Sequence, residues 1–214
     1  MANQRTSPIA RAVLRAFDRS WLGVMNPTPA SVLGNSAKAG RAIGAMFFAV
    51  FGGMWLGLWA HSEYPESVGT LLAIAAIAAA LLAAAQRVYK ANSLALKALA
   101  QTPEGRRKSR MFNLVNAGQW GVIVIVALVL SQIGYTRWIL PVVILIIGLH
   151  FLPLARLFSY RPPYLTGAAL ILLACVYPFA APEGPESAVG ALGAGLILWL
   201  SAVWAISPFS PAQQ

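Results

Sequence analysis

Six long apolar runs, at 42–60, 68–86, 112–134, 138–155, 164–181 and 188–206, alternate with short polar segments along the 214-residue chain. Within each run the apolar character is continuous and lacks the two-residue alternation of barrel strands, so the pattern predicts helices. About 20 helical residues cross a hydrocarbon core of about 30 Å, and each run is of that size. Backbone groups in lipid must find their hydrogen bonds within the span, which also selects helices. The expectation is an all-α, polytopic membrane protein with six transmembrane helices. The connections at 61–67, 135–137 and 182–187 are short, which predicts three antiparallel hairpins. On this reading residues 1–38 form a cytoplasmic N-terminal segment, 39–207 the six-helix transmembrane domain, and 208–214 a cytoplasmic tail.

Composition agrees with the pattern. The chain is 58% hydrophobic and only 10% charged, with a mean hydropathy of +0.67, whereas soluble domains carry about a quarter charged residues. A water-soluble fold of this size needs a polar exterior that this sequence does not supply. The net charge of +10 would suggest nucleic acid as a partner in a soluble protein. Here the basic residues gather beside apolar runs, so membrane topology accounts for them and no nucleic-acid partner is expected.

The placement of charge also predicts a direction, because arginine and lysine are retained on the cytoplasmic side during insertion. With the N-terminus inside, Arg5, Arg11, Arg15, Arg19, Lys38, Arg41, the seven basic residues between Arg87 and Arg110, Arg156 and Arg161 all fall inside, and only Arg137 falls outside. Glu63, Glu66, Glu183 and Glu186 fall in the outer loops. Both termini are therefore expected in the cytoplasm. The first 40 residues lack an uninterrupted apolar stretch with a small-residue cleavage site, so no secretory leader is expected. The single cysteine, Cys175, allows no intrachain disulfide and reads as a packing residue.

Between Ile9 and Leu22 the apolar residues Ile9, Val13, Leu14, Phe17 and Trp21 recur at helical spacing with arginines on another face. That pattern predicts an interfacial helix on anionic lipid headgroups, ended by the NPTP stretch Asn26–Pro29. The helix of the second run should continue through RVYKANSLALKALAQ into the cytoplasm. Thr102, Pro103 and Glu104 then supply a new N-cap, a first-turn proline and a first-turn acid. Two outer loops share a PES sequence, PESVG at 65–69 and PESAVG at 185–190. They read either as a repeat of hairpins or as two independent helix starts, each with an acid favoured by the helix dipole. Close helix packing is expected at small residues: the alanine-rich second run, Gly53 and Gly57, and Gly190, Gly193 and Gly195.

No aspartate or glutamate lies inside any run, which excludes carboxylate proton relays, carboxylate ion sites and di-metal carboxylate clusters. The polar groups that remain concentrate in the third and fourth runs. Asn113, Asn116, Gln119 and Trp120 fall on one arc of a helix at about 100° per residue. The fourth run contains GLHFLPLARLF, with His150 one turn before Pro153 and Arg156 near the inner boundary. Counting from the cytoplasmic ends of the third and fourth runs places Gln119 and His150 both about 10 Å inside the boundary. Pro153 cannot donate to the carbonyl of Leu149 and is expected to kink the helix there.

An ionisable residue at membrane depth is a functional hypothesis by default, and a neutral histidine that ties two helices together is its structural alternative. Arg156 lies about 120° from His150 and could instead reach headgroups by extending its side chain. Haem held by two histidines is disfavoured within one chain, because His61 lies at the opposite face; no cofactor and no metal are expected. A nucleophile–base arrangement is disfavoured, since no acid in the membrane can orient His150.

GLHFLPLA, preceded by Gln119-Trp120 in the third run, resembles a motif of small, uncharacterised bacterial six-helix inner-membrane proteins. The resemblance covers mainly the third to fifth runs. It implies a multi-pass protein of the bacterial inner membrane and attention to His150, Pro153 and Gln119, and it implies no activity. The residues themselves predict a small polar cavity for ligand binding or transport between the third and fourth helices near the cytoplasmic side. In it His150, Gln119, Asn116 and Asn113 would offer hydrogen bonds, Trp120 and Phe151 an apolar wall, and Arg156 an anion contact. The alternative is a non-catalytic scaffold or sensory subunit whose basic segments bind lipid or a partner. A membrane-embedded enzyme using His150 comes third. Expected partners are the lipid bilayer, anionic headgroups, a small-molecule ligand and further copies of the chain in a homo-oligomer.

Overall fold

The computed structural model describes residues 29–158 and 161–207. The amphipathic segment expected at 9–22 and the tail at 208–214 lie outside the described residues. Within them are six helices long and apolar enough to cross a membrane: α1 (Pro29–Glu63), α2 (Val68–Ala100), α3 (Pro103–Gln132), α4 (Ile139–Phe158), α5 (Pro162–Ala180) and α6 (Val189–Ile206). The all-helical class and the six spans expected from the hydropathy pattern are present. The boundaries differ mainly at one end. α1 has 35 residues and α2 has 33, or about 50 Å each at 1.5 Å per residue, well beyond a core of about 30 Å. The described helix of α1 includes 29–38, so these residues are helical and continuous with the first span.

Caps show why the helices stop where they do. Thr102 takes an extended conformation, its Oγ1 accepts a hydrogen bond from the Gly105 amide at 3.1 Å, and Pro103 follows at the position where a missing N–H costs nothing. α2 therefore ends and α3 begins at the Thr-Pro-Glu expected from the sequence. At the other end of α3, Gly134 has φ +79°. Tyr135 N–H donates to Leu130 O at 2.8 Å and Gly134 N–H to Ser131 O at 3.4 Å, the pair of reversed bonds that closes a helix when the residue after the C-cap turns left-handed. The PES loops work differently from expectation. Ser67, not Glu66, caps α2, its Oγ accepting from Thr70 N–H. Before α6, Ser187 Oγ accepts from Val189 N–H while Glu186 lies in a short 3₁₀ turn. Ser67 reaches a first-turn amide from the cap position, whereas before α6 the cap position is Ala188 and Ser187 reaches the Val189 amide from one residue earlier.

α1 packs against α2 on one side and α6 on the other; α6 packs on α5, α5 on α4, and α4 on α3. The main core is formed by Ile144, Leu170, Ala174, Tyr177, Ala194 and Leu198, with Phe48, Phe51 and Trp55 of α1 against it. Two glycine crossings bring backbones together. Gly52 and Gly195 face each other between α1 and α6, where Trp199 Nε1 donates to Ala49 O at 3.1 Å. Gly148 and Gly167 do the same between α4 and α5. A Thr166–Ser201 hydroxyl pair at 2.8 Å adds a polar link between α5 and α6.

Two expectations about packing are corrected. Gly57 meets nothing within 4 Å, whereas Gly53 lies against Ala78 and the tight site is Gly52. The alanine-rich α2 buries only Ala85, and most of its alanines face outward. An all-alanine surface is equally small on every side, so its composition carries no direction. Pro153 lies within α4, which extends from Ile139 to Phe158.

Candidate functional site

α3 is the most peripheral span: none of its residues, all of them described, is buried. From Phe112 onward its half-buried positions are Phe112, Val115, Asn116, Gln119, Ile123, Val126, Ala127 and Leu130. These recur at helical spacing and mark the one face turned toward the bundle. Asn116 and Gln119 therefore lie on the protein-facing side of α3, whereas Asn113 and Trp120 are exposed at its margin.

α4 has the complementary arrangement. Leu149, Pro153 and Arg156, at offsets of four and seven residues, are exposed and form its outward arc. His150 and Phe151 are half-buried. The start of α3 meets the end of α4 where the rings of Phe112 and Phe158 pack 5.9 Å apart. Gln119 is seven residues along α3 from that contact and His150 eight residues back along α4, so at about 1.5 Å per residue the two lie within about 2 Å of one level.

Aromatic rings from α1 join the two helices. Phe48 packs edge-on against Phe151 of α4 at 5.5 Å, and Phe51, one turn on, lies 6.3 Å from Trp120 of α3. His150 in turn sits edge-on to Phe151 at 5.9 Å. The α1 contribution was absent from the sequence reading. Its signal was available in the FFAVF stretch at 47–51, where Phe47, Phe48 and Phe51 place three rings within one turn of a span.

Of the residues singled out from sequence, Asn116, Gln119, His150 and Phe151 thus lie on protein-facing surfaces of adjacent helices, and Trp120 at their edge. Asn113, Pro153 and Arg156 lie on outward arcs. Among the described residues no hydrogen bond joins His150 to Asn116 or Gln119, and the polar atoms of all three remain accessible. Gln119 and His150 lie at about one level, with Asn116 one turn nearer the Phe112 end of α3, and all three have free hydrogen-bonding capacity beside the aromatic rings.

Among the described residues these features define a class, an all-helical fold with six helices of the length and composition of membrane spans. Comparison with protein-family models, with curated proteins and with solved structures finds no match to this chain.

Proposed function

We propose that the chain is a multi-pass protein of the bacterial inner membrane, with its six spans in three antiparallel hairpins and both termini in the cytoplasm. Between α3 and α4, near the cytoplasmic side, it holds or passes a small polar ligand. The observation that carries this reading is the placement of Gln119 and His150 on half-buried faces at about one level, with Asn116 one turn away, all three without partners among the described residues. At membrane depth an unsatisfied amide or imidazole is costly, and a ligand or water-filled space supplies what the protein does not. Phe48, Phe51, Trp120 and Phe151 give the site an apolar wall, and α3, none of whose residues is buried, is its loosely held side. The scaffold reading has less support, because it needs these groups to bond to one another.

Thiol labelling tests the proposal without a known ligand. In a Cys175→Ser background, single cysteines replace Asn116, Gln119 or His150, with Leu114 and Ile125 on the exposed face of α3 as controls. A membrane-impermeant maleimide reacts with the thiolate, which forms only where water reaches it. In proteoliposomes the three site cysteines should be modified from the cytoplasmic side and the two controls should not. Site cysteines as unreactive as the Ile125 control would refute a water-accessible site.

A further inference from the structure

At the inner end of α3 a depression of about 290 Å³ is lined by Pro103, Arg106, Arg107 and Arg110. We infer that it is a binding site for the phosphodiester headgroup of an anionic phospholipid, separate from the α3–α4 site and independent of it. Three observations converge on that ligand. The first is charge: Arg106 and Arg110 are one turn apart on the same face and Arg107 flanks them, all three exposed. No ion pair joins any of them to an acid among the described residues. Three like charges at this spacing repel one another, and guanidinium forks match the paired oxygens of a phosphate.

The second observation is depth. Arg110 is followed directly by Met111, Phe112 and the apolar run of α3, so the arginines stand at the level where headgroup phosphates lie. A soluble anion would have no reason to favour that level. The third is the surface below. Leu114, Ala117 and Gly121 continue the face of Arg110 toward the membrane centre, at offsets of four, seven and eleven residues. All three are exposed, and a Cβ added at Gly118 or Gly121 would meet nothing within 4 Å. An acyl chain attached to a phosphate in the depression can lie along this exposed helix face.

The test uses the full chain purified in neutral detergent. Thermal unfolding and native mass spectrometry are followed with added phosphatidylglycerol, phosphatidylcholine or inorganic phosphate. Phosphatidylglycerol should raise the unfolding midpoint and remain bound in the mass spectrum; phosphatidylcholine and inorganic phosphate should do neither. The triple variant Arg106→Gln/Arg107→Gln/Arg110→Gln should bind phosphatidylglycerol about 100-fold more weakly, given roughly a fivefold contribution per basic residue at a membrane surface. Arg87→Gln/Lys90→Gln/Lys97→Gln, with the same change in charge, should bind it as the native chain does. If the glutamine variant fails to fold, Arg106→Lys/Arg107→Lys/Arg110→Lys keeps the charge and should still bind more weakly than arginine. Equal stabilisation by phosphatidylcholine, a matching effect of inorganic phosphate, equal loss in the control variant, or undiminished binding by the arginine variants would each overturn the assignment.

Discussion

Replacing Gly148 by valine should destabilise the protein by about 3 kcal/mol, the upper range for forcing extra methyl groups into a packed interior. A Cβ at this position would lie 2.8 Å from Ile171 Cγ1 and 3.0 Å from both Gly167 O and Ile171 N. The isoleucine tip can rotate away, but the two backbone atoms can move only if α4 and α5 separate. Gly167 is equally constrained from the other side, since its own Cβ would stand 2.7 Å from Gly148 O. The crossing also positions the site, because Phe151 and Leu152, just beyond Gly148, rest against Gly167. Gly57→Ala is the control: its Cβ meets nothing within 4 Å, and alanine gains up to about 1 kcal/mol of helix propensity. Thermal unfolding in detergent should show a large loss for Gly148→Val and none for Gly57→Ala.

A comparable loss, about 2–3 kcal/mol, is expected for Gly195→Val at the α1–α6 crossing. The first added carbon would stand 2.6 Å from Leu56 Cγ and 3.0 Å from Gly52 O. Separation there also threatens the bond from Trp199 Nε1 to Ala49 O, 150 residues apart in sequence. Trp199→Phe removes that donor while keeping much of the ring, and should cost only about 1 kcal/mol. If Gly195→Val were no worse than Trp199→Phe in the same unfolding assay, close backbone approach would not be what holds α1 to α6.

The sequence made the helices legible because length and apolar continuity are properties of each segment alone. The α2–α3 boundary was equally legible, since Thr102, Pro103 and Glu104 act on neighbouring backbone groups. What required coordinates was direction. Every side chain of an apolar span looks inward from the sequence, and only contacts reveal that Ala85 of α2 is buried while most of its alanines face out. Gly52 was overlooked and Gly57 overvalued for that reason: four-residue spacing identifies a helix face but not whether another helix lies on it. Partial legibility also marks the site. The amide stripe and His150 stood out as rare polar groups in apolar runs. Phe48 and Phe51 did not, because aromatic residues in a span are ordinary. Arg156 and Pro153 were drawn in by proximity in sequence to His150, yet positions three and six residues on fall on the outward arc of α4.

The central claim is that Gln119 of α3 and His150 of α4 face each other at one level in the membrane. In the Cys175→Ser background, Gln119→Cys/His150→Cys in native membranes, treated with a short bifunctional thiol reagent, tests this most directly, with Ile125→Cys/His150→Cys as the control. Proteolysis in the 135–137 connection then reports whether the halves remain joined. The account predicts linkage for the first pair and not for the second; absence of linkage in the first, or equal linkage in both, would contradict it.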